Sequence, residues 1–276
     1  MSMCLCVMGF FYLAEMELVR NLCNDVQVLK SIWFGKITGS SHKERLESFY
    51  GPQAHVYDHF RARFLHGRIG MLRACAREMH KLQGRKDLVW VDLGGGTGQN
   101  VETMASICDL SLFKKVYVVD ICGPLCDVAR EKVAKYGWTN VEVVEADVCD
   151  YEPEASPATL VTFSYSLSMI PPFLNALDKA SRYLDPAVGI LGVSDFFTSL
   201  KHDKTERQHG YLTRWFWRSI FDLDNIDLGP ERRQYMDYKF ETVYEENHLG
   251  YIPYVPILQV PYYIWLGVAN GLQYVR

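Results

Sequence analysis

The chain has no C-x-x-C pair among its eight cysteines and no histidine beside Cys122 and Cys126, the closest-spaced pair within its main body. That removes the spacing of a structural zinc site, and no metal is expected. No apolar run reaches the length needed to cross a bilayer. The first 14 residues carry no charged side chain, but no basic segment precedes them, which disfavours a signal peptide. Position 2 is Ser, so N-myristoylation is excluded. Repeats and low-complexity tracts are absent, and nothing points to nucleic acid as a partner. Cysteines set inside apolar segments behave as small hydrophobes, and a reducing, cytoplasmic setting follows.

What is present suits a globular protein. Hydrophobic residues make up 49% of the 276 and charged residues 22%, enough for a sizeable core beneath a soluble surface. The net charge of −4 is unevenly spread. Lys30 to Lys86 holds twelve Lys/Arg against four Asp/Glu, a net of +8, which leaves about −12 for the rest. Such a region suits an anionic surface or acidic substrate, or is simply a solvated helix face.

The stretch Val91-Asp92-Leu93-Gly94-Gly95-Gly96-Thr97-Gly98-Gln99-Asn100 carries most of the information. An apolar run ending in Asp92 reads as a strand. The glycines let the backbone turn sharply and approach a ligand, and a helix then opens with its N–H groups facing that ligand. A dinucleotide fingerprint would need a third glycine where Gln99 stands, and a P-loop would need Lys after Gly98. D-x-G-x-G-x-G after a strand instead resembles motif I of the class I S-adenosylmethionine (SAM)-dependent methyltransferases. Lys115–Asp120 is a second strand ending in an acid, 22 residues beyond Gly98, where α/β cofactor sites place a carboxylate on a ribose. A third, Val141–Ala146, leads into Asp147.

Between Leu88 and Phe196 the pattern alternates. Strands are expected at 88–92, 116–120, 141–146, 160–164 and 189–196, with helices near 99–107, 123–136 and 173–184. That order makes a parallel sheet with crossover helices. Ser41 with Glu44 reads as a helix-capping box, after a linker at 35–41. Residues 199–221 are basic, aromatic and partly helical. The run Tyr235–Tyr244 alternates aromatic with charged residues, as an antiparallel strand with one wet face would, and Val260–Gly267 supplies another. The expected fold is α/β: a Rossmann-like class I methyltransferase with a seven-stranded, mostly parallel sheet, helices on both faces and an N-terminal helical lid. Residues 1–41 form an extension and 42–276 the methyltransferase domain.

Four stretches carry a narrower resemblance: His42–Tyr50, Gln53–Asp58 with Arg61 and Arg63, Phe163–Pro171, and Val260–Gly267. Together they resemble the methyltransferase half of betaine lipid synthases, over roughly 42–267. That family trimethylates the amine of diacylglyceryl-homoserine. The resemblance implies SAM as cofactor, S-adenosylhomocysteine as product, and an amine-bearing lipid or small molecule as acceptor. It also implies peripheral attachment to a membrane face, the endoplasmic reticulum in a eukaryote. A separate aminocarboxypropyl-transferase is the implied partner, since nothing here corresponds to that half of the synthase.

In such an enzyme Gly94, Gly96 and Gly98 present amides to the cofactor, and Asp92 orders its amino group. Asp120 takes the ribose, Ile121 packs on the adenine, and Asp147 and Val148 handle the adenine edge. Ser164 ends the fourth strand beside the cofactor, and Tyr57 and Arg61 close over it. Residues Ser164–Leu167 stand where methyltransferases of planar nitrogens carry Asn/Asp-Pro-Pro-aromatic, which disfavours that substrate class. Tyr165, Ser166 and Ser168 are candidate acceptors that orient an amine, and His209 is the candidate proton acceptor. Tyr211, Trp215 and Trp217 offer cation–π shelter for a quaternary ammonium, or else form core. Two other readings stay open: a SAM-binding module without activity, and a soluble small-molecule methyltransferase of the same fold.

Overall fold

The computed structural model describes residues 38–55, 58, 63–82, 84–222, 226–252 and 255–270. Tyr57, Arg61 and most of the expected N-terminal extension lie outside the described residues. The chain divides into two compact units, Met1–Arg63 and Phe64–Arg276. In the first, α1 (His42–Tyr50) starts at the capping box read from the sequence. The Ser41 hydroxyl accepts the Glu44 N–H at 3.2 Å, and the Glu44 carboxylate takes the N–H groups of Ser40 and Ser41 in return.

The second unit is an α/β sheet. Its elements run α2 (Arg68–His80), β1 (Leu88–Leu93), α3 (Gln99–Ile107), β2 (Phe113–Asp120), α4 (Gly123–Tyr136), β3 (Val141–Glu145) and β4 (Leu160–Ser164). They continue with α5 (Phe173–Tyr183), β5 (Ile190–Phe196), α6 (Tyr211–Asp222), α7 (Glu231–Lys239), β6 (Phe240–Ile252) and β7 (Val255–Ala269). The seven strands order as β3-β2-β1-β4-β5-β7-β6. The first five are mutually parallel, and β7 pairs antiparallel with both β5 and β6.

Pleating explains the layers. Every residue of β1, β4 and β5 is buried, as expected of central strands covered on both faces. On one face Val89, Val91 and Leu93 join Leu177 and Ala180 of α5 and Met236 of α7. Leu88 and Trp90 point the other way, into a second core with Met71 and Met79 of α2, Met104 of α3 and Ala129 of α4. The strand order reverses between β1 and β4, and the crevice at their C-terminal ends is the ligand position in sheets of this kind.

One expected element is corrected. The alternating run at 235–244 is not a strand throughout: α7 continues to Lys239, and β6 begins at Phe240. Period-2 alternation of Tyr with charged residues misled because the charges are used internally. Arg232 and Arg233 are buried on the helix, Met236 fills the core, and the Tyr235 hydroxyl and Lys239 ammonium share the carboxylate of Asp178 on α5. The last two strands are also longer than expected, meeting across residues 252 and 255.

Candidate cofactor and acceptor site

The glycine turn between β1 and α3 is built on backbone geometry that side chains resist. Gly94, Gly96 and Gly98 have φ of +66°, +56° and +70°. A Cβ on Gly94 would lie 2.3 Å from the Ser166 Cβ, so the post-β4 turn sits directly on the loop. The Ser166 hydroxyl donates to the Leu93 carbonyl at 2.8 Å, fastening the two together.

Strand-end acids brace this arrangement. Both Asp120 oxygens are used: one accepts the Gly96 N–H and the other the Cys122 N–H, each at 2.9 Å. Asp120 thus fixes the loop in front of it. Asp92 is wholly buried. It takes the Asn100 amide at 3.0 Å and the Thr162 hydroxyl at 2.6 Å, while Trp90 donates to that same Thr162 oxygen at 2.8 Å. Asp92 thereby anchors Asn100, in the first turn of α3, to the end of β1. Asp147 is half-buried and accepts the Cys149 N–H at 2.8 Å, which closes the turn carrying the buried Val148. Ile121 is half-buried beside Asp120. Ser164, at the end of β4, is buried with no hydrogen-bond partner for its hydroxyl. A positive-φ glycine turn, two strand-end acids, an apolar neighbour at each and an orphan hydroxyl fit an adenosyl cofactor.

The acceptor side differs from expectation in its details. Tyr165 is held at φ +55°, the one non-glycine among the described residues with positive φ. Its hydroxyl donates to the His66 carbonyl and its ring packs edge-on to Phe196. Burial pushes its pKa well up, so it stays a neutral phenol. Ser168 gives both its N–H and its hydroxyl to Asp195, at 2.8 Å each. His209 is tied up: its Nδ1 accepts the Ser199 N–H at 3.0 Å, and burial lowers its pKa to about 4. At neutral pH it is uncharged with its proton on Nε2, and this geometry argues against its taking a proton from a substrate. Trp217 lies in a buried cluster with Tyr165, Phe196 and Phe221, whereas Tyr211 and Trp215 face outward. The three do not gather into a cage.

Several contributors were missed. Asp195 stands one residue before the end of β5, as Asp92 does on β1, a parallel the sequence already offered. It is buried, which pushes its pKa up to about 6 against the pull of Ser168, Arg232 and the Phe196 N–H. Arg232 donates to the Leu167 carbonyl at 3.0 Å from the far side of the same turn. Asn100 had a weaker signal, being a polar residue in the first turn of the helix after the glycines.

A family profile described as a methyltransferase domain matches residues 91–187, from β1 through the end of α5. Over that segment the chain is similar to a methyltransferase domain. Over 112 residues it is 29% identical to protein-L-isoaspartate O-methyltransferase 1 of Nitrosospira multiformis, a match covering 40% of this chain and 45% of that protein. The chain thus spans about half the length of this curated relative. Its fold is similar to that of the YcgJ protein of Bacillus subtilis, at 12% identity and a TM-score of 0.56, covering 75% of this chain and all of the other. A putative methyltransferase of Bacillus halodurans gives 13% identity and a TM-score of 0.53, over 70% of this chain and 98% of that one.

Proposed function

We propose that the chain transfers the methyl group of SAM to an aliphatic amine carried on a lipid, with diacylglyceryl-homoserine as the acceptor. The observation that supports this reading is the contact of the post-β4 turn with the glycine loop, Ser166 against Gly94, which leaves the Ser166 hydroxyl beside the turn we assign to the cofactor. Gly94–Gly98, Asp120, Ile121, Asp147 and Val148 would hold SAM, which would supply an electrophilic methyl on sulfur. The chain's own residues then have a modest task. An aliphatic amine without its proton is a competent nucleophile, so the turn 165–169 needs only to align its lone pair. Ser166 donates to Leu93 and retains lone pairs for an ammonium or amine N–H. Asp195 and Arg232 keep that turn rigid from two sides. The segment Ser164-Tyr165-Ser166-Leu167 lacks the Pro-Pro-aromatic element suited to a conjugated nitrogen, which favours the aliphatic class.

Incubating the protein with radiolabelled SAM and diacylglyceryl-homoserine micelles tests the reading. A soluble homoserine ether and an isoaspartyl peptide serve as comparison acceptors. Label in the lipid phase is expected. Label confined to the soluble amine would move the protein to small-molecule substrates. Label in the peptide would point to carboxyl methylation, the chemistry in the name of the Nitrosospira relative. SAM binding with no label anywhere would make it a non-catalytic module.

A further inference from the structure

The hairpin of β6 and β7 outgrows the sheet. Pairing of β7 with β5 stops at Tyr262 opposite Phe196, whereas its pairing with β6 continues to Val255 opposite Ile252. At about 3.3 Å per residue, the four β6 residues Leu249 to Ile252 carry a two-stranded ribbon roughly 13 Å past the end of β5, with an irregularity between Tyr251 and Ile252. That end is the C-terminal edge of the parallel strands, the edge that carries Gly94–Gly98, Asp120 and Tyr165. The ribbon does not stand alone, which two strands rarely can. Val260 packs with Trp217 and Phe221 of α6, and His66 hydrogen-bonds the Tyr251 carbonyl at 2.7 Å.

Ribbon and helix both turn apolar side chains outward. Ile257 is 89% exposed and Tyr251 60%; on the outer face of α6, Tyr211, Leu212 and Trp215 are 71%, 73% and 59% exposed. In a chain that is 22% charged, no Asp, Glu, Lys or Arg occurs from Asn247 to Val275. The ribbon therefore presents nothing that an anionic surface would repel. Exposed charges on α6 and the segment leading to it are Lys201, Lys204 and Arg218 against Glu206 and Asp222, a small net positive balance. Tyr and Trp on an apolar surface with cations behind is the chemistry of a membrane-interface anchor.

We infer that the β6–β7 ribbon and the outer face of α6 insert into the headgroup region of a lipid bilayer containing anionic lipid, with the methyl-transfer edge of the sheet turned toward that bilayer. The inference rests on the lipid-linked acceptor and deepens it, because an amine fixed to diacylglycerol then reaches the site without leaving its layer. A projecting ribbon suits a deformable medium, whereas a protein partner would need a matching cleft.

The test uses the full chain and vesicles that contain no acceptor, so its outcome is independent of methylation. Co-sedimentation with phosphatidylcholine vesicles, with and without phosphatidylglycerol, is measured for the wild type and for two variants: Leu212→Ser/Trp215→Ser and Ile257→Ser. These side chains are exposed and outside the cofactor site, so SAM affinity by calorimetry should stay unchanged. The wild type should bind, more tightly with phosphatidylglycerol. Each variant should lose about tenfold or more in partitioning, as expected when buried apolar area is removed from an interfacial anchor. In brominated lipid, the Trp fluorescence of the wild type should be quenched and that of Trp215→Phe less so. Wild-type protein that ignores every vesicle, or variants that bind as the wild type does, would overturn the inference. So would concentration-dependent self-association that the variants abolish, which would assign the surface to a second copy of the chain. Intact vesicle binding with no lipid methylation would sink the acceptor reading and leave the surface standing.

Discussion

At the scale of single residues, the turn after β1 depends on the absence of side chains and the acids behind it depend on shared acceptors. Gly94→Ala adds both a left-handed backbone penalty of about 1–2 kcal/mol and a contact with Ser166. It should lower the melting temperature and weaken SAM. Combining it with Ser166→Gly should recover the steric part and leave the backbone part, which calorimetry on the three variants resolves. Asp120→Ala removes the acceptor of two loop N–H groups as well as the proposed ribose contact, and should weaken SAM by roughly 2–3 kcal/mol. Unchanged affinity in titration calorimetry would take Asp120 off the ribose. His209 makes a prediction of a different kind. Its folded pKa of about 4 lies below the unfolded value near 6.5, so the unfolded chain binds the extra proton first. This group therefore costs stability as pH falls from about 6.5 to 4 and nothing above. Asp195, raised to about 6, works the opposite way over part of that window, since there the folded state is the one that holds more protons. In urea denaturation, His209→Gln should lose less stability than the wild type between pH 7 and 4.5. Its turnover at pH 7 should survive, because a histidine of this pKa is not the base.

At the scale of elements, the junction of α7 and β6 is locked by charge. Arg207 forms ion pairs with Asp237 on α7 and Glu245 on β6, and the buried Arg233 lies 3.1 Å from the same Glu245. Arg233 also stacks over Tyr263, 4.7 Å from the ring centre. Burial would raise the Glu245 pKa, yet Arg207 and Arg233 pull it down to about 2. That depressed value means the stabilisation is present above about pH 4.5 and is lost as pH falls through about 2. Glu245→Gln leaves two guanidinium groups short of a counter-charge in a mostly buried setting, and should destabilise by about 3 kcal/mol. Urea unfolding at pH 7 checks it, and a cost under about 1 kcal/mol would mark the network as solvent-screened. The same junction shows why the sequence was misread there. Tyr235, Asp237 and Lys239 look like the wet face of a strand until Asp178 and Arg207, 57 and 30 residues away in the chain, are brought against them.

At the scale of the whole molecule, no helix among the described residues is long and apolar enough to cross a membrane. Attachment through the ribbon and α6 therefore predicts release from cell membranes by alkaline carbonate. Retention until detergent is added would place the anchor elsewhere, with the uncharged first 14 residues as the first candidate. The sequence by itself determined the parallel sheet, because five apolar runs alternate with helical segments and each pattern repeats locally. It also determined the glycine turn after β1, whose residues lie close together in the chain, and the capping box at Ser41. Tertiary structure decided what long-range packing controls. It took Trp217 into the core and left Trp215 outside, though the two are only two residues apart on one helix. It occupied His209 with Ser199, brought Asp195 to the turn after β4, and extended the last hairpin beyond the sheet. Periodicity reports which residues are apolar, but only the neighbours supplied by the fold decide which of them are covered and which carboxylates and imidazoles are already spent.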